Sequence, residues 1–128
     1  MPDLNTIRER LADNARTGEV RAFGYAPDEV TGPAVVIDLP DYRSLSFGRN
    51  YWTIPLDAHL LVARQWDRTT SKKIDELIPV LWTALESDKT LGGAAESLHV
   101  VQFTARRSTE AGGFDFVGGV FEMEVIAT

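Results

Sequence analysis

The sequence of 128 residues contains no cysteine. This absence excludes disulfide bonds, thiolate nucleophiles and cysteine-ligated zinc, and it is typical of proteins that fold in a reducing compartment. No apolar run reaches the roughly 18 residues of a transmembrane helix, and the charged N-terminal segment lacks the apolar core of a signal peptide. We therefore expect a protein that is neither secreted through a signal peptide nor embedded in a membrane.

Positive charge is also scarce. The net charge is -6, and basic residues are adjacent only in pairs, at Lys72-Lys73 and Arg106-Arg107. Such pairs are too small to neutralise several phosphates, so we expect no sequence-specific binding of nucleic acid. The length fits one domain over residues 1–128, with one hydrophobic core.

The longest periodic stretch covers residues 50–64. Its even positions from Trp52 to Val62 are apolar, whereas its odd positions include polar residues such as Asp57 and His59. This alternation predicts a strand with one apolar face and one solvated face. Pro55 cannot donate a hydrogen bond to a neighbouring strand, which predicts an edge strand or a bulge at this point.

Two segments have helical spacing. Asp3 can cap a helix with apolar positions from Leu4 to Ala15, and Gly18 ends it. The stronger pattern includes Ile74, Leu77 and Leu81, begins at Asp67 or a following threonine, and contains Pro79. A proline inside a helix predicts a kink, or a break with a second helix starting there.

Shorter patterns complete the predicted sheet. The continuous apolar run at residues 34–37 is typical of a central strand covered on both faces. Residues 98–107 and 114–127 predict an antiparallel pair joined by a loop at 108–113, and Gly118-Gly119 predicts a bulge or the close approach of another backbone. Predicted strands lie near residues 20–25, 34–38, 50–64, 98–107 and 114–127.

These patterns predict an α+β fold with a mixed, mostly antiparallel sheet of about five strands and two main helices packed on one face. The predicted core residues are large and apolar and lie on the inward faces: Trp52, Leu56, Leu60, Leu81, Trp82, Phe121 and Val125.

The sequence offers little for catalysis. His59 and His99 are the only histidines, and Asp57 is the one carboxylate close to either in sequence on the same strand face. Acid-base catalysis and metal binding require such groups to converge, so we expect no catalytic residues, no metal site and no cofactor. Gly92-Gly93 lacks the preceding strand and the following Lys-Ser/Thr of a phosphate-binding loop.

Residues 41–49 form an aperiodic segment with aromatic and arginine side chains, which we interpret as a loop. Earlier in the chain, after the N-terminal amphipathic helix, Tyr25-Ala26-Pro27-Asp28-Glu29-Val30 leads through Gly32-Pro33 into residues 34–37. The long alternating strand, the helix with Leu77 and Leu81, Asp88-Lys89-Thr90-Leu91-Gly92-Gly93-Ala94, Leu98-His99-Val100 and a last strand of alternating Glu and Val follow in order.

Taken as an ordered set over nearly the whole chain, these segments resemble the tail terminator proteins of long-tailed bacteriophages, particularly those that infect actinobacteria. Many members of that family have two prolines where this chain has Gly32-Pro33, a difference confined to the turn. The resemblance implies a structural virion protein without catalytic residues. It would be made in the bacterial cytoplasm, form a hexameric ring on the tail tube, stop tube polymerisation and present a surface to the head connector.

The partners implied by this resemblance are other copies of the chain, the tail tube protein and a head-completion protein. Arginines and aromatic residues in the segments 41–49 and 106–113 are suited to such contacts. The predicted interface residues are Tyr42, Arg43, Phe47, Arg49, Arg106 and Arg107.

Two alternatives stay open. One is a head-completion or neck adaptor. The other is a small ligand-binding domain or enzyme, which would need a pocket lined by Tyr51, Asp57, His59 and His99.

Overall fold

The computed structural model describes residues 2–38, 43–44, 51–111 and 114–128, and it leaves the side chains of residues 43, 44, 110, 111 and 114 undescribed. The helices are α1 (Leu4–Ala15) and α2 (Arg68–Leu85), and a 3-10 turn spans Leu91–Gly93. The strands are β1 (Arg21–Phe23), β2 (Ala34–Ile37), β3 (Arg43–Ser44), β4 (Trp52–Ala63), β5 (Ser97–Ala111) and β6 (Phe114–Ala127).

Both helices begin at the predicted aspartate caps. The Asp3 carboxylate accepts from the Thr6 amide, and the Asp67 carboxylate accepts from the Thr70 amide at 2.8 Å. Such bonds satisfy amide groups that have no partner within the first helical turn. Helix α2 is continuous through Pro79, so the predicted break is wrong, while the alternative of a kink stays a prediction.

The sheet confirms the predicted mixed α+β architecture. Its five main strands run in the order β1-β2-β4-β6-β5, with β1 parallel to β2 and the other pairs antiparallel. Apolar residues of α1 and α2 pack together with one face of the sheet, so both helices cover the same side, as predicted. We call this the inner face and the opposite side the outer face.

The expectation that the long strand lies at an edge is wrong, because β4 pairs with β6 on one side and with β2 and β3 on the other. On the β2 side of β4, the Asp57 carbonyl accepts from the Asp38 amide at 2.8 Å. Pro55 is two residues before Asp57, so its backbone groups point to the same side. Its nitrogen therefore faces that side, between the described pairings of β2 with residues 58–61 and of β3 with residues 52–53. The proline thus sits where no described partner needs its missing hydrogen.

The core prediction is confirmed for its aliphatic members and for Phe121. Leu56, Leu60, Leu81, Phe121 and Val125 are all buried. The core prediction is wrong for Trp52 and Trp82, which are half-buried and pack against the edge of the core. Trp82 meets the edge of the Phe121 ring, with the ring centres 6.4 Å apart. A large ring of this kind covers the core without lying wholly within it.

The prediction for Gly118-Gly119 is confirmed. A Cβ on Gly118 would lie 1.8 Å from the Leu60 carbonyl oxygen, and one on Gly119 would lie 2.2 Å from the Phe103 ring. The register between β4 and β6 shifts between Leu61 and Ala63, beside Gly118. Only glycine allows the two strands to approach this closely.

Two predicted loops contain strand. Within the segment 41–49, residues Arg43 and Ser44 form β3 against β4. The predicted loop at 108–113 is also too long, since β5 continues to Ala111 and β6 starts at Phe114. Register shifts in β5 absorb its extra residues, which allows pairing to continue past segments that lack simple alternation.

Among the residues that the structure describes, no helix is both long and apolar enough to cross a membrane.

Candidate interaction surfaces

The outer face is divided into an apolar part and a polar part. Near the end of β4, Leu61 is 1% exposed and packs with Val30, Ala34, Val36 and Phe116 in a second, small cluster. The β1–β2 connection contributes Val30 to this cluster. The other half of the outer face carries charged and polar side chains from β4, β5 and β6.

A row of acidic residues crosses the polar half. The Asp38 amide, directly after β2, donates to the Asp57 carbonyl of β4. Asp57 is paired with Glu122 of β6, and Glu122 is paired with Gln102 of β5. The first three members are carboxylates on neighbouring strands, and directly opposed like charges destabilise a sheet. We call Asp38, Asp57 and Glu122 the acidic row.

The ends of the row have partners. His59 Nε2 lies 2.9 Å from the Asp38 carboxylate, and the Gln102 amide donates to Glu122. Burial raises the pKa of Asp57, in the middle of the row. The nearby His59 opposes this rise, Glu122 and Asp38 add to it, and Arg106 opposes it. The charged form of Asp57 is therefore disfavoured in the folded chain.

The residues required for the ligand-pocket alternative do not converge. His59 is paired with Val36 and Val120, whereas His99 is paired with Glu124, four residues farther along β6. Four residues of a strand span about 13 Å. The partner of His59 is Asp38, not Asp57, because β2 ends beside β4 at this level. Sequence proximity alone missed Asp38.

A cationic and aromatic surface lies just beyond the C-terminal end of β4, where the chain passes into α2. Trp66 is 58% exposed, and the Arg107 guanidinium stacks on its ring at 4.0 Å. Arg64 and Arg68 flank Trp66 in sequence, and Arg64 lies 6.0 Å from the centre of the Phe116 ring. We call Arg64, Trp66, Arg68 and Arg107 the basic corner.

Along the sequence, basic residues are adjacent only in pairs, but the fold brings more of them together. The β5–β6 hairpin places Arg107 against a loop about 40 residues earlier in the chain. The sequence signal for this surface is a tryptophan between two arginines directly after a strand.

The predicted interface residues are only partly described. Tyr42, Phe47 and Arg49 lie outside the described residues, and for Arg43 the structure describes the backbone alone, in β3. Arg106 is exposed and belongs to the outer face, since it is paired with Gly118 and its charge reaches Asp57. Arg107 is exposed but is committed to Trp66. The two adjacent arginines therefore serve different surfaces.

One open groove lies between the end of β4 and the first half of α2. Its volume is about 380 Å³, and Val62, Ala63, Thr69, Lys72, Lys73 and Glu76 are among its lining residues. Lys73 forms an ion pair with Glu19, which neutralises part of its charge. Within the described ranges, no group of three or more carboxylate or imidazole side chains is placed to hold a metal ion.

Comparison of the chain with protein-family models and with curated proteins finds no match.

Proposed function

We propose that this chain is a tail terminator: a structural subunit that closes into a ring on the end of a phage tail tube. In this role it stops polymerisation of the tube and provides the surface that joins the head. The proposal rests on the ordered resemblance of the sequence to that family, and on surfaces suited to repeated contact between copies.

The observation that carries the proposal is β5, the strand at one edge of the sheet. It is 15 residues long, and its residues from Val101 to Ser108 include exposed side chains on both faces of the sheet. Among these residues, the apolar Val101 is 54% exposed. An apolar residue exposed on a long edge strand is unfavourable for an isolated subunit and is favourable where a neighbouring molecule covers it.

The charge of the chain supports the same role. A ring on a tail tube surrounds the path of the DNA, and the net charge of -6 lowers the affinity of a duplex for the wall of that path. The exposed arginines near the β5–β6 hairpin are then available for contacts between proteins.

The direct test is removal of the protein from the phage that encodes it. Tails of uncontrolled length on unjoined particles are the expected result, as seen by negative-stain electron microscopy. Expression of the wild-type chain in trans should restore uniform tails.

Two other outcomes have separate meanings. Uniform tails that cannot join heads would favour the head-completion adaptor instead. Uniform tails on joined particles would rule out both virion roles.

A further inference from the structure

We propose that two copies of the chain pair edge to edge along β5, antiparallel and related by a two-fold axis at Thr104, to form a dimer in solution. The occupant of the open β5 edge is thus the same strand of a second copy. This inference goes beyond the proposed function and does not depend on it.

The β1 edge of the described sheet is short and covered. β1 has only three residues. The Arg21 amide donates to the Pro33 carbonyl on the β2 side, so the backbone groups of the next residue, Ala22, face outward. The Arg16 guanidinium donates to the Ala22 carbonyl at 3.1 Å. This edge therefore offers little backbone to another strand.

The β5 edge is covered at its start and open farther along. The Glu86 carboxylate accepts from the Val100 amide at 3.1 Å, which blocks pairing at that level. Register shifts flank residues 102–106, which are therefore the regular part of the strand. These five residues have the length of an ordinary strand, and no other described strand pairs with them on the side away from β6.

The backbone of this segment points its hydrogen-bonding groups outward at Phe103 and Ala105. The Thr104 carbonyl oxygen lies on the β6 side, since it is 2.6 Å from the position that a Cβ on Gly119 would take. Successive residues of an antiparallel strand alternate between its two sides, so the amides and carbonyls of Phe103 and Ala105 face away from β6. Unpaired groups of this kind are a template for another strand.

A two-fold axis at Thr104 makes the segment complementary to itself. Phe103 of one copy then lies opposite Ala105 of the other, so a large side chain meets a small one and the outward groups exchange hydrogen bonds. On the outer face Gln102 lies opposite Arg106, and the two Thr104 side chains form a favourable cross-strand pair. An axis at Arg106 would instead place two arginines directly opposite each other.

Apolar side chains beside the open edge favour the same contact. Phe103 and Trp82 both pack on Phe121, with ring centres 4.7 and 6.4 Å from it, yet both are only half-buried. Val101, directly before the regular segment, is exposed. Pairing along β5 would remove part of this apolar surface from water.

The occupant is a second copy because β5 is the long open edge of the described sheet. A head-to-tail contact between strands would need a different open edge on the neighbouring subunit, and the β1 edge does not provide it. A contact that uses the same patch twice is isologous and closes after two copies. It would occupy the edge that supports the proposed ring, so a subunit would have to leave the dimer before it joined a tail.

Analytical ultracentrifugation of the purified chain over a range of concentrations should show a reversible equilibrium between monomer and dimer. Thr104→Lys should weaken the dimer at least about tenfold, because two lysines would face each other across the axis. Ala105→Pro removes an outward amide and should weaken the dimer as well. Thr83→Lys, at an exposed position in the last turns of α2 where a cation is tolerated, should associate like the wild type. Unchanged circular dichroism establishes that each variant is folded.

A single cysteine tests the register, since the chain has no cysteine of its own. When Phe103 and Ala105 exchange hydrogen bonds, the two copies of Thr104 form the closer, non-hydrogen-bonded pair, with Cα atoms about 4.5 Å apart, within reach of a disulfide. Oxidised glutathione, which takes up the two electrons and two protons released, should convert Thr104→Cys chains into a disulfide-linked dimer. Thr83→Cys chains should stay monomeric on a non-reducing gel.

A wild-type chain that stays monomeric at the highest concentration reached would overturn the inference. Association that survives both Thr104→Lys and Ala105→Pro would also overturn it, as would equally fast crosslinking at residues 104 and 83. These results are independent of the deletion phage. A dimer broken by Thr104→Lys together with normal tails in that phage would retain this contact and reject the terminator role, whereas a monomeric chain with uncontrolled tails would do the reverse.

Discussion

The two faces of β4 are built from alternate residues of one strand, yet they have opposite characters. On the inner face, Ile54, Leu56, Ala58 and Leu60 are all at most 1% exposed and meet both helices. On the outer face, the half-buried residues Asp57 and His59 precede the buried Leu61. The inner face therefore forms the main core, whereas the outer face combines half-buried polar side chains with a second, small apolar cluster.

The comparison shows that a solvated face predicted from alternation is not uniform. Leu61 has the same parity as Asp57 and His59 and lies on the same face, but it packs with Val30 and Phe116 and is buried. The polar residues Asp57 and His59 lie beside this second cluster and are half-buried. This partial burial is the largest cause of the raised pKa of Asp57.

The strongest test of the inner face is Phe121→Ala. Phe121 is 0% exposed, and its ring centre is 4.7 Å from that of Phe103. Its removal should lower the free energy of unfolding by about 3–5 kcal/mol, since it leaves a cavity between the sheet and the helices. Urea unfolding followed by circular dichroism measures this loss. Glu122→Gln, on the adjacent outer position, should change stability by less than about 1 kcal/mol.

Gly118→Ala should be nearly as damaging, at about 3 kcal/mol, although it adds only one methyl group. The new Cβ would meet the Leu60 carbonyl oxygen, and backbone cannot rotate away as a side chain can. The same unfolding experiment applies. Val120→Ala, which removes atoms two residues later without a backbone clash, provides the comparison. A neutral Gly118→Ala variant would contradict the close approach of β4 and β6.

Trp82→Ala tests the margin of the core. Because Trp82 is half-buried, we expect a loss of about 2 kcal/mol, below the 3–5 kcal/mol of a wholly buried ring. Part of the loss comes from the edge contact with Phe121. Trp82→Phe should retain much of that contact. Equal losses for Trp82→Ala and Phe121→Ala would show that the margin is as tightly packed as the centre.

The stack between Arg107 and Trp66 should contribute about 0.5–1 kcal/mol of coupling. A double-mutant cycle of Arg107→Ala and Trp66→Ala, followed by chemical unfolding, measures this coupling. Arg106→Ala with Trp66→Ala is the matched control, since Arg106 faces the outer side and should show additive effects. Additivity in the first pair would show that the exposed ring is not held by Arg107.

Asp57→Asn should give the smallest change and the one most dependent on pH. The folded chain raises the pKa of Asp57, so its ionised form destabilises the fold at pH 7. Replacement by asparagine should add about 0.2–1 kcal/mol there, because it removes an opposed like charge. As the pH falls through the raised pKa toward the unfolded value, the wild type becomes protonated and this advantage should disappear.

Asp67 provides the control of opposite sign. Its hydrogen bonds to Thr70 lower its pKa, so its stabilising effect is present above the unfolded pKa and is lost as pH falls through the folded one. Asp67→Asn keeps a good cap while it removes the titration. When unfolding is measured between pH 7 and pH 4, the difference between Asp67→Asn and the wild type should therefore stay nearly constant, because Asp67 is protonated only below its ordinary pKa, whereas the difference for Asp57→Asn should change. A constant difference between Asp57→Asn and the wild type would contradict the raised pKa.

The sequence by itself determined the elements and their inward faces. Period-two alternation placed Leu56 and Leu60 on one side of a strand, and spacing of three and four residues placed Leu77 and Leu81 on one side of a helix. These patterns are local consequences of backbone geometry, so they can be read without the fold. The caps at Asp3 and Asp67 are local for the same reason.

Only the tertiary structure decided which distant residues meet. The central position of β4 despite Pro55, the pairing of His59 with Asp38, the acidic row and the stack of Arg107 on Trp66 all depend on strand order and register. No local pattern encodes these features, because each joins side chains from separate parts of the chain. The core follows from periodicity, whereas the charged surfaces follow from how the strands are arranged.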